Sequence, residues 1–454
     1  MLLRYFSLST FHFIMLDIQF IRDHKDEVAK AANGKKLDFD IEALFVADRE
    51  RIESAQALEA AQAEKNALNE RIGRAQDDGE RQSIIAEGKT IKERIESLEP
   101  VARESRRRFD VLMAQVPNIV AEDTPEGLSD EDNVEVSRHG EIRNFDFAPK
   151  DHIALGTALG LFDLERGTKV AGYRGYYLKG DGALLALGLM NYALSKMASK
   201  GFLPMIPPTL IKGFPLFGSG YFKGLEYDGE VDEIYQVASS DKEIDGGESK
   251  EQKFLAGTSE PLLLAFHSGE TLESTDLPRR YAGFSQCYRS EIGSYGKDTK
   301  GLYRVHEFMK VEQVILAPAD IALSDALQQE MLGITEEILA ELGLPFRKIR
   351  ICMGDMGTGK YKAFDLEAWM PGLDRWGELG SASNFTDWQA RRLDVRYRDP
   401  ETGKKIPVYM LNNTALTSVR PLIAILENFQ EADGSVNVPE VLRPFVGKDR
   451  LTVA

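Results

Sequence analysis

The chain has 454 residues, with 56 basic and 73 acidic side chains and a formal net charge of −17. That length holds two or three domains. The charge argues against a general polyanion binder, whose affinity comes from basic groups on phosphates, but leaves room for a local basic face. Two distant cysteines, Cys287 and Cys352, exclude a disulfide framework and a four-cysteine zinc site, and fit a reducing cytosol.

The first fourteen residues, MLLRYFSLSTFHFI, are apolar and aromatic with one arginine. Met15 follows and opens MLDIQFIRDH. No A-x-A-like cleavage site is present, and Asp17 with Arg22 cuts the apolar run short of a membrane span. Residues 1–14 therefore read as a non-native start or a short leader.

From about residue 41 to 116 the composition shifts to Ala, Glu, Arg, Gln and Leu. AQDDGE around Gly79 reads as a turn between two long helices. Ile91, Ile95, Leu98, Ala102, Ser105, Phe109, Leu112 and Val116 alternate by four and three residues, a heptad seam. The first helix is looser, marked by Leu44, Leu58, Ala61, Leu68 and Ile72. The two predict an antiparallel coiled-coil hairpin, and ~30 helical residues reach about 45 Å. Pro100 removes one helical hydrogen bond and predicts a kink. Such a charged hairpin reads first as a solvated spacer or a dimerisation element. Arg103 and the run Arg106, Arg107 and Arg108 supply the sharper alternative, a phosphate-binding face.

A Pro-containing connector, PNIVAEDTPEG, leads into a region of strands, amphipathic helices and glycine turns. YRVHEFMKVEQVIL (303–316) predicts a strand with Phe308, Lys310 and Glu312 on one face. SDALQQEMLGITEEILAELG (324–343) predicts an amphipathic helix ending on Gly343. No regular βαβ alternation and no G-x-G-x-x-G appear, so an α+β fold with an antiparallel sheet is expected over a doubly wound one.

GDMGTGKY (354–361) is one residue short of a Walker A loop. Tyr361 stands where a Ser or Thr must reach magnesium, and YKAFDLEAWMPG beyond it alternates like a strand, not a helix. A glycine-rich turn is expected. The segment 284–313 is the better phosphate handler. Strands carrying Arg289, Glu291 and Phe308 can hold a triphosphate and stack a base without a glycine loop, although by spacing alone any antiparallel hairpin could carry such charges.

Taken together, these segments resemble a known family. The chain is similar to bacterial-type seryl-tRNA synthetases, class II aminoacyl-tRNA synthetases, from Met15 to near its C-terminus. GFLPMIPPTLI (about 201–211) resembles class II motif 1, CYRSEIGSYGKDTKGLYRVHEFMKVE (about 287–312) motif 2, and NNTALTSVRPLIAILENFQ (about 412–430) motif 3. AEKNALNERIG and the opening DHIALGTALGLFDLERG also resemble the family's arm and catalytic domain.

The resemblance implies an arm domain over residues 15–120 and a catalytic domain over 121–454. It implies that serine attacks the ATP α-phosphorus, giving seryl-adenylate and pyrophosphate, and that serine then passes to the 3′ end of tRNA-Ser, with tRNA-Sec as a further acceptor the family allows. Arg289, Arg420 and Glu378 are the implied catalytic residues. ATP binding falls to Arg289, Ser290, Glu291, Arg304, Val305, Phe308, Glu378, Leu379, Gly380, Ser381 and Arg420. Serine binding falls to Thr258, Ser259, Glu260, Arg289, Glu312, Asn412 and Thr414. Glu378 and Ser381 would ligate Mg²⁺ with ATP, and no zinc is expected. The arm would act across a homodimer, turning Arg103, Arg106, Arg107 and Arg108 into tRNA phosphate contacts. A cytoplasmic enzyme with no membrane contact is expected.

Departures are few. GTSE stands for Pro-Thr-Ala-Glu, Gly380 replaces a serine, Phe385 a cysteine, and residues 241–252 form an acidic insertion. Two other readings stay open: a relative that loads a carrier protein instead of tRNA, and a non-catalytic tRNA-binding or coiled-coil protein. The first would lack the arm, and the second would have lost Arg289, Glu378 or Arg420. All of these features are kept.

Overall fold

The computed structural model describes residues 17–74, 77–238, 242, 249, 251–292 and 300–453. The expectations for residues 1–14 and for most of the 241–252 insertion lie outside them.

Two short helices, α1 (Ile18–Asp23) and α2 (Lys25–Gly34), precede two long ones, α3 (Ile41–Arg74) and α4 (Asp78–Gln115). The last two run against each other as the seam predicts. Leu58, Ala61, Leu68 and Ile72 meet Ile84, Ile91, Ile95 and Leu98 in a narrow apolar strip. Nearer the body the strip turns polar, where the Ser54 and Ser105 hydroxyls lie 2.6 Å apart. At 34 and 38 residues the helices reach about 50 Å, longer than the sequence suggested. Pro100 does not break α4, which runs unbroken past it. Its ring faces solvent, where the carbonyl it leaves unbonded can be hydrated.

The body is built on an eight-stranded sheet. Its strands are β1 (Val134–His139), β2 (Leu203–Met205), β3 (Arg279–Tyr288), β4 (Glu307–Ala317), β5 (Phe346–Arg350), β6 (Lys362–Met370), β7 (Arg375–Asn384) and β8 (Tyr409–Thr417). The spatial order is β1-β5-β6-β7-β8-β4-β3-β2. Every neighbouring pair is antiparallel except β2 with β3. This is the expected α+β arrangement.

Helices α5 (His152–Ala158), α6 (Asp181–Ser199), α7 (Glu260–Ala265), α8 (Ile321–Glu341) and α9 (Arg420–Asn428) complete the scaffold. α6, α8 and α9 share one apolar core with the sheet, including Leu185, Leu189, Val311, Ile315, Leu332, Ile338, Leu411 and Leu422. Even polar residues on that face serve packing. Gln313 and Asn413 both donate to the Met331 carbonyl and the Thr335 hydroxyl of α8. Period-2 alternation then sends Phe308, Lys310, Glu312, Asn412 and Thr414 to the opposite face. No described helix is long and apolar enough to cross a membrane.

Arm and body are welded at the arm's base. Leu44, Ala47, Phe109 and Met113 pack with Phe217, Phe254, Phe385 and Trp388. The buried Lys35 ammonium donates to the carbonyls of Asn118, Thr358 and Lys360 at 2.9, 2.9 and 2.7 Å. The glycine-rich 354–360 turn is thus the seat of this weld. Gly354 touches the 127–128 backbone so closely that a Cβ would stand 2.5 Å from the Gly127 carbonyl oxygen.

Candidate active site

The predicted strand at 303–316 begins four residues late, at Glu307. Residues 303–306 instead form an irregular turn, and this brings Tyr303 and Arg304 into a cavity on the sheet face. Arg289, Glu291, Tyr303, Arg304, Val305, Phe308, Lys310, Glu378, Leu379, Gly380, Thr414 and Arg420 are among the residues that line it.

Arg289 follows β3 directly. Its backbone exchanges hydrogen bonds with His306, by N–H to the His306 carbonyl at 2.9 Å and by its own carbonyl to the imidazole at 2.8 Å. Its Nε donates to the Gly257 carbonyl at 3.3 Å, and the guanidinium sits 5.4 Å from the Phe308 ring centre. Burial opposes its charge, but Tyr221, Cys287 and Glu291 more than restore it, so the net shift is upward. Glu291 adopts φ = +55°. A non-glycine residue holds that conformation at a cost of ~1–3 kcal/mol. Arg304 binds its carboxylate at 2.8 Å and Arg174 lies 3.9 Å away.

Arg420 starts α9, with Pro421 in the first turn where its missing N–H costs nothing. Its guanidinium reaches the Glu378 carbonyl at 2.8 Å, the Glu378 carboxylate at 3.1 Å and the Tyr303 carbonyl at 3.3 Å, above the Tyr303 ring. Close packing around Glu378 disfavours its charge, yet Arg420 and Arg289 hold it below the usual carboxylate range. Ser381, three residues further along β7 past a shift in register, has a buried hydroxyl with no well-formed hydrogen bond, although the Asp365 carboxyl lies beside it. A half-exposed carboxylate and a buried hydroxyl are the hard oxygen donors that Mg²⁺ takes, so these residues fit that ion.

Deeper in the same face lie the serine candidates. Thr258 and Ser259 are fully buried, and Glu260 is nearly so. Glu260 accepts from Tyr221 at 3.0 Å and from Gln389 at 2.8 Å. Burial and the nearby Glu312 push its carboxyl pKa up, against the pull of those donors and Lys310. Glu312 is 2.5 Å from the Lys310 ammonium and accepts from the Thr414 hydroxyl at 3.4 Å. The Asn412 amide nitrogen is buried without a partner. Ser259 turns away, donating to the Gly283 carbonyl at 3.1 Å. The buried Ser290 hydroxyl has no hydrogen-bond partner.

Several contributors were missed. Tyr303 and Thr417 line the cavity from within motifs 2 and 3, but neither was singled out. Lys310 stood out only as a charge on a strand. Asp365 on β6 pairs across the ladder with Ser381. Burial, with Glu378 beside it, raises the Asp365 carboxyl to about 7. It sits in DLEAW, which reads simply as an alternating strand.

Arg103, Arg107 and Arg108 are exposed and Arg106 is half-buried, and three of the four have acidic partners. Arg106 pairs with Asp110, Arg107 with Glu104 and Arg108 with Glu50. Arg103 has no ion pair among the described residues. The arm's basic face is therefore largely self-neutralised in the free protein.

An antiparallel sheet carrying one arginine after β3, a second at the start of α9 and an acidic residue on β7 defines a class II aminoacyl-tRNA synthetase core. Comparison with known proteins agrees. The class II core domain of the G, H, P, S and T tRNA synthetases matches residues 240–429, and the seryl-tRNA synthetase N-terminal domain matches residues 15–120. The chain is 39% identical to the serine–tRNA ligase of Deinococcus radiodurans over 95% of its own length and 98% of the relative's. It is 40% identical to that of Rhodococcus jostii over 96% and 100%. A crystal structure of seryl-tRNA synthetase from Pyrococcus horikoshii, complexed with ATP, superposes with a TM-score of 0.83 at 33% identity, covering 97% of this chain and all of that one. The chain belongs to the seryl-tRNA synthetase family.

Proposed function

We propose that the cavity binds ATP and serine side by side and joins them with Arg289 between the two. Family membership makes the chain an ATP-dependent serine–tRNA ligase. The observation that carries the residue roles is the convergence of Arg289, Phe308, Glu378 and Arg420 on one cavity.

The serine carboxylate is ionised at neutral pH, so attack on the α-phosphorus needs no general base. Its oxygen forms the new bond to phosphorus, and the bond to the oxygen bridging the β-phosphate breaks, releasing pyrophosphate. The protein's task is positioning and charge stabilisation. Arg289 spans the α-phosphate and the serine carboxylate with its planar fork. Phe308 offers its face to adenine, and Glu291, clamped by Arg304, faces the exocyclic amino group. Arg420 takes the γ-phosphate from the far side. Mg²⁺, held when bound by Glu378 and Ser381, supplies neutralising charge along the phosphates.

Glu260 and Thr258 hold the serine ammonium. Glu312 accepts from the serine hydroxyl, with Thr414 and Asn412 beside it. A pocket built to bond a hydroxyl rejects alanine by roughly 10⁴ because its own polar groups would go unpaired. In the second step the terminal 3′-hydroxyl of tRNA attacks the seryl carbonyl carbon, and AMP leaves.

A C2 homodimer is proposed because apolar side chains stand exposed along the motif 1 region and the helix α6 before it. Leu184, Leu187, Leu203, Ile206 and Leu210 are all open, Ile206 by 80%. The arm then serves a tRNA whose acceptor end lies on the partner.

The roles are tested by replacing Phe308 with alanine. KM for ATP in serine-dependent ATP–pyrophosphate exchange rises about 10-fold, as loss of ~1–1.5 kcal/mol of ring stacking requires, and KM for serine stays put. An unchanged KM for ATP removes adenine from this ring.

A further inference from the structure

We propose that His152 is a positioning residue for the ATP cavity, fixing the returning limb of the motif 2 loop through the Leu302 backbone. The proposal rests on ATP occupying the cavity described above.

His152 is the first residue of α5 and is 2% exposed. Its Nε2 lies 3.2 Å from the Leu302 N–H and accepts it, which places the ring proton on Nδ1. Nδ1 then donates to the Glu427 carboxylate at 2.9 Å. Glu427 is wholly buried near the end of α9. It is itself held by backbone donors, the N–H of His152 at 2.9 Å on one oxygen and the N–H of Gly372 at 2.9 Å on the other. The ring lies so close to the loop that a Cβ at Gly301, where φ is +69°, would stand 2.2 Å from Nε2.

Leu302 is followed at once by two cavity residues. The Tyr303 carbonyl and ring receive Arg420, and Arg304 grips Glu291. Arg420 and Glu427 belong to the same helix. A closed chain of contacts therefore runs from the start of α9 through Arg420, Tyr303, Leu302, His152 and Glu427 back to the end of α9. One rigid helix holds the loop's foot at two points, and His152, in the DHIALG segment that opens the catalytic domain, is the link between them. Leu302 is fully buried, so its N–H has no solvent substitute if the imidazole is lost.

Two replacements separate the bonds. Asparagine at 152 can reach Glu427 in place of Nδ1 but offers nothing at the Nε2 position. Glutamine sets its carbonyl oxygen near the Nε2 position and can still accept from Leu302. Steady-state exchange and equilibrium ATP binding by calorimetry are measured on the full chain beside thermal melts. His152→Asn is expected to raise KM and Kd for ATP about tenfold and leave KM for serine within twofold. His152→Gln is expected to recover most of the loss. Gly301→Ala, which pushes on the ring without removing it, is expected to weaken ATP in the same selective way and decides the matter should His152→Asn not fold. Equal effects of Asn and Gln, equal loss for ATP and serine, or no loss for ATP would each overturn the proposal. Because the parent protein is assayed beside them, a parent that exchanges normally while the variants break this pattern refutes His152's role alone. A parent without serine-dependent exchange refutes the underlying reading.

Discussion

Glu312→Gln probes the serine pocket most sharply. The carboxylate is 2% exposed and is gripped by Lys310 at 2.5 Å and Thr414 at 3.4 Å. Amide for carboxylate keeps the size and removes the charge. A hydrogen bond to a charged group contributes about 1.5–3 kcal/mol. At about 1.4 kcal/mol per decade, kcat/KM for serine should fall roughly 10- to 150-fold. Discrimination against alanine should fall by a similar factor, because the acceptor that enforces it is weakened. KM for ATP should hold, since Glu312 contacts Lys310 and Thr414 rather than Arg289, Glu378 or Arg420. The substitution also strands the Lys310 ammonium, which is itself 6% exposed at the side chain, so a melt belongs beside the kinetics. Adding Lys310→Met should recover stability but not serine discrimination. The assay is serine-dependent ATP–pyrophosphate exchange with alanine as competitor. Equal losses for serine and ATP, or unchanged discrimination at full stability, would refute the reasoning.

Glu260 must be ionised to hold an ammonium, and its pKa is raised by burial and by Glu312. KM for serine should therefore climb as pH falls through that raised value, while Glu260→Gln gives a high KM that is flat with pH; a flat parent profile would count against Glu260. Lys35→Met leaves three carbonyls at the arm's base without their donor. It should cost ~1–3 kcal/mol of stability, seen as a lower denaturation midpoint with ordinary exchange kinetics in the folded enzyme, and an unchanged midpoint would show the weld does not depend on it. Charge reversal at Arg103 and Arg108 should spare exchange, weaken tRNA charging and lower the salt dependence of tRNA binding by about one unit of log–log slope per lost contact. Charging that is untouched would return the arm to a spacer.

Most of the residues that line the cavity were legible in the motifs because they lie close together along strands. The alternation of Phe308, Lys310 and Glu312 along one run placed three side chains on one face from the sequence alone. The hairpin seam was legible for the same reason, since its contacts repeat every three or four residues. What stayed hidden is long-range. Lys35 reaches carbonyls more than 300 residues away, at Thr358 and Lys360, and no local pattern announces it. Asp365 reads as an ordinary strand position until β7 lays Ser381 against it. The late start of β4 was missed because YRVH has strand composition. The contacts of Tyr303, Arg304 and His306 override that propensity. Pro100 predicted a kink from intrinsic geometry alone, and the helix tolerates it on the solvent side.

The central claim is that this chain activates serine and delivers it to tRNA. The most direct measurement is serine-dependent ATP–pyrophosphate exchange run beside charging of tRNA-Ser, on protein beginning at Met15. Exchange specific for serine together with charging is the predicted result. Folded protein that shows no exchange with any amino acid would contradict the account, and exchange without charging would contradict its second half.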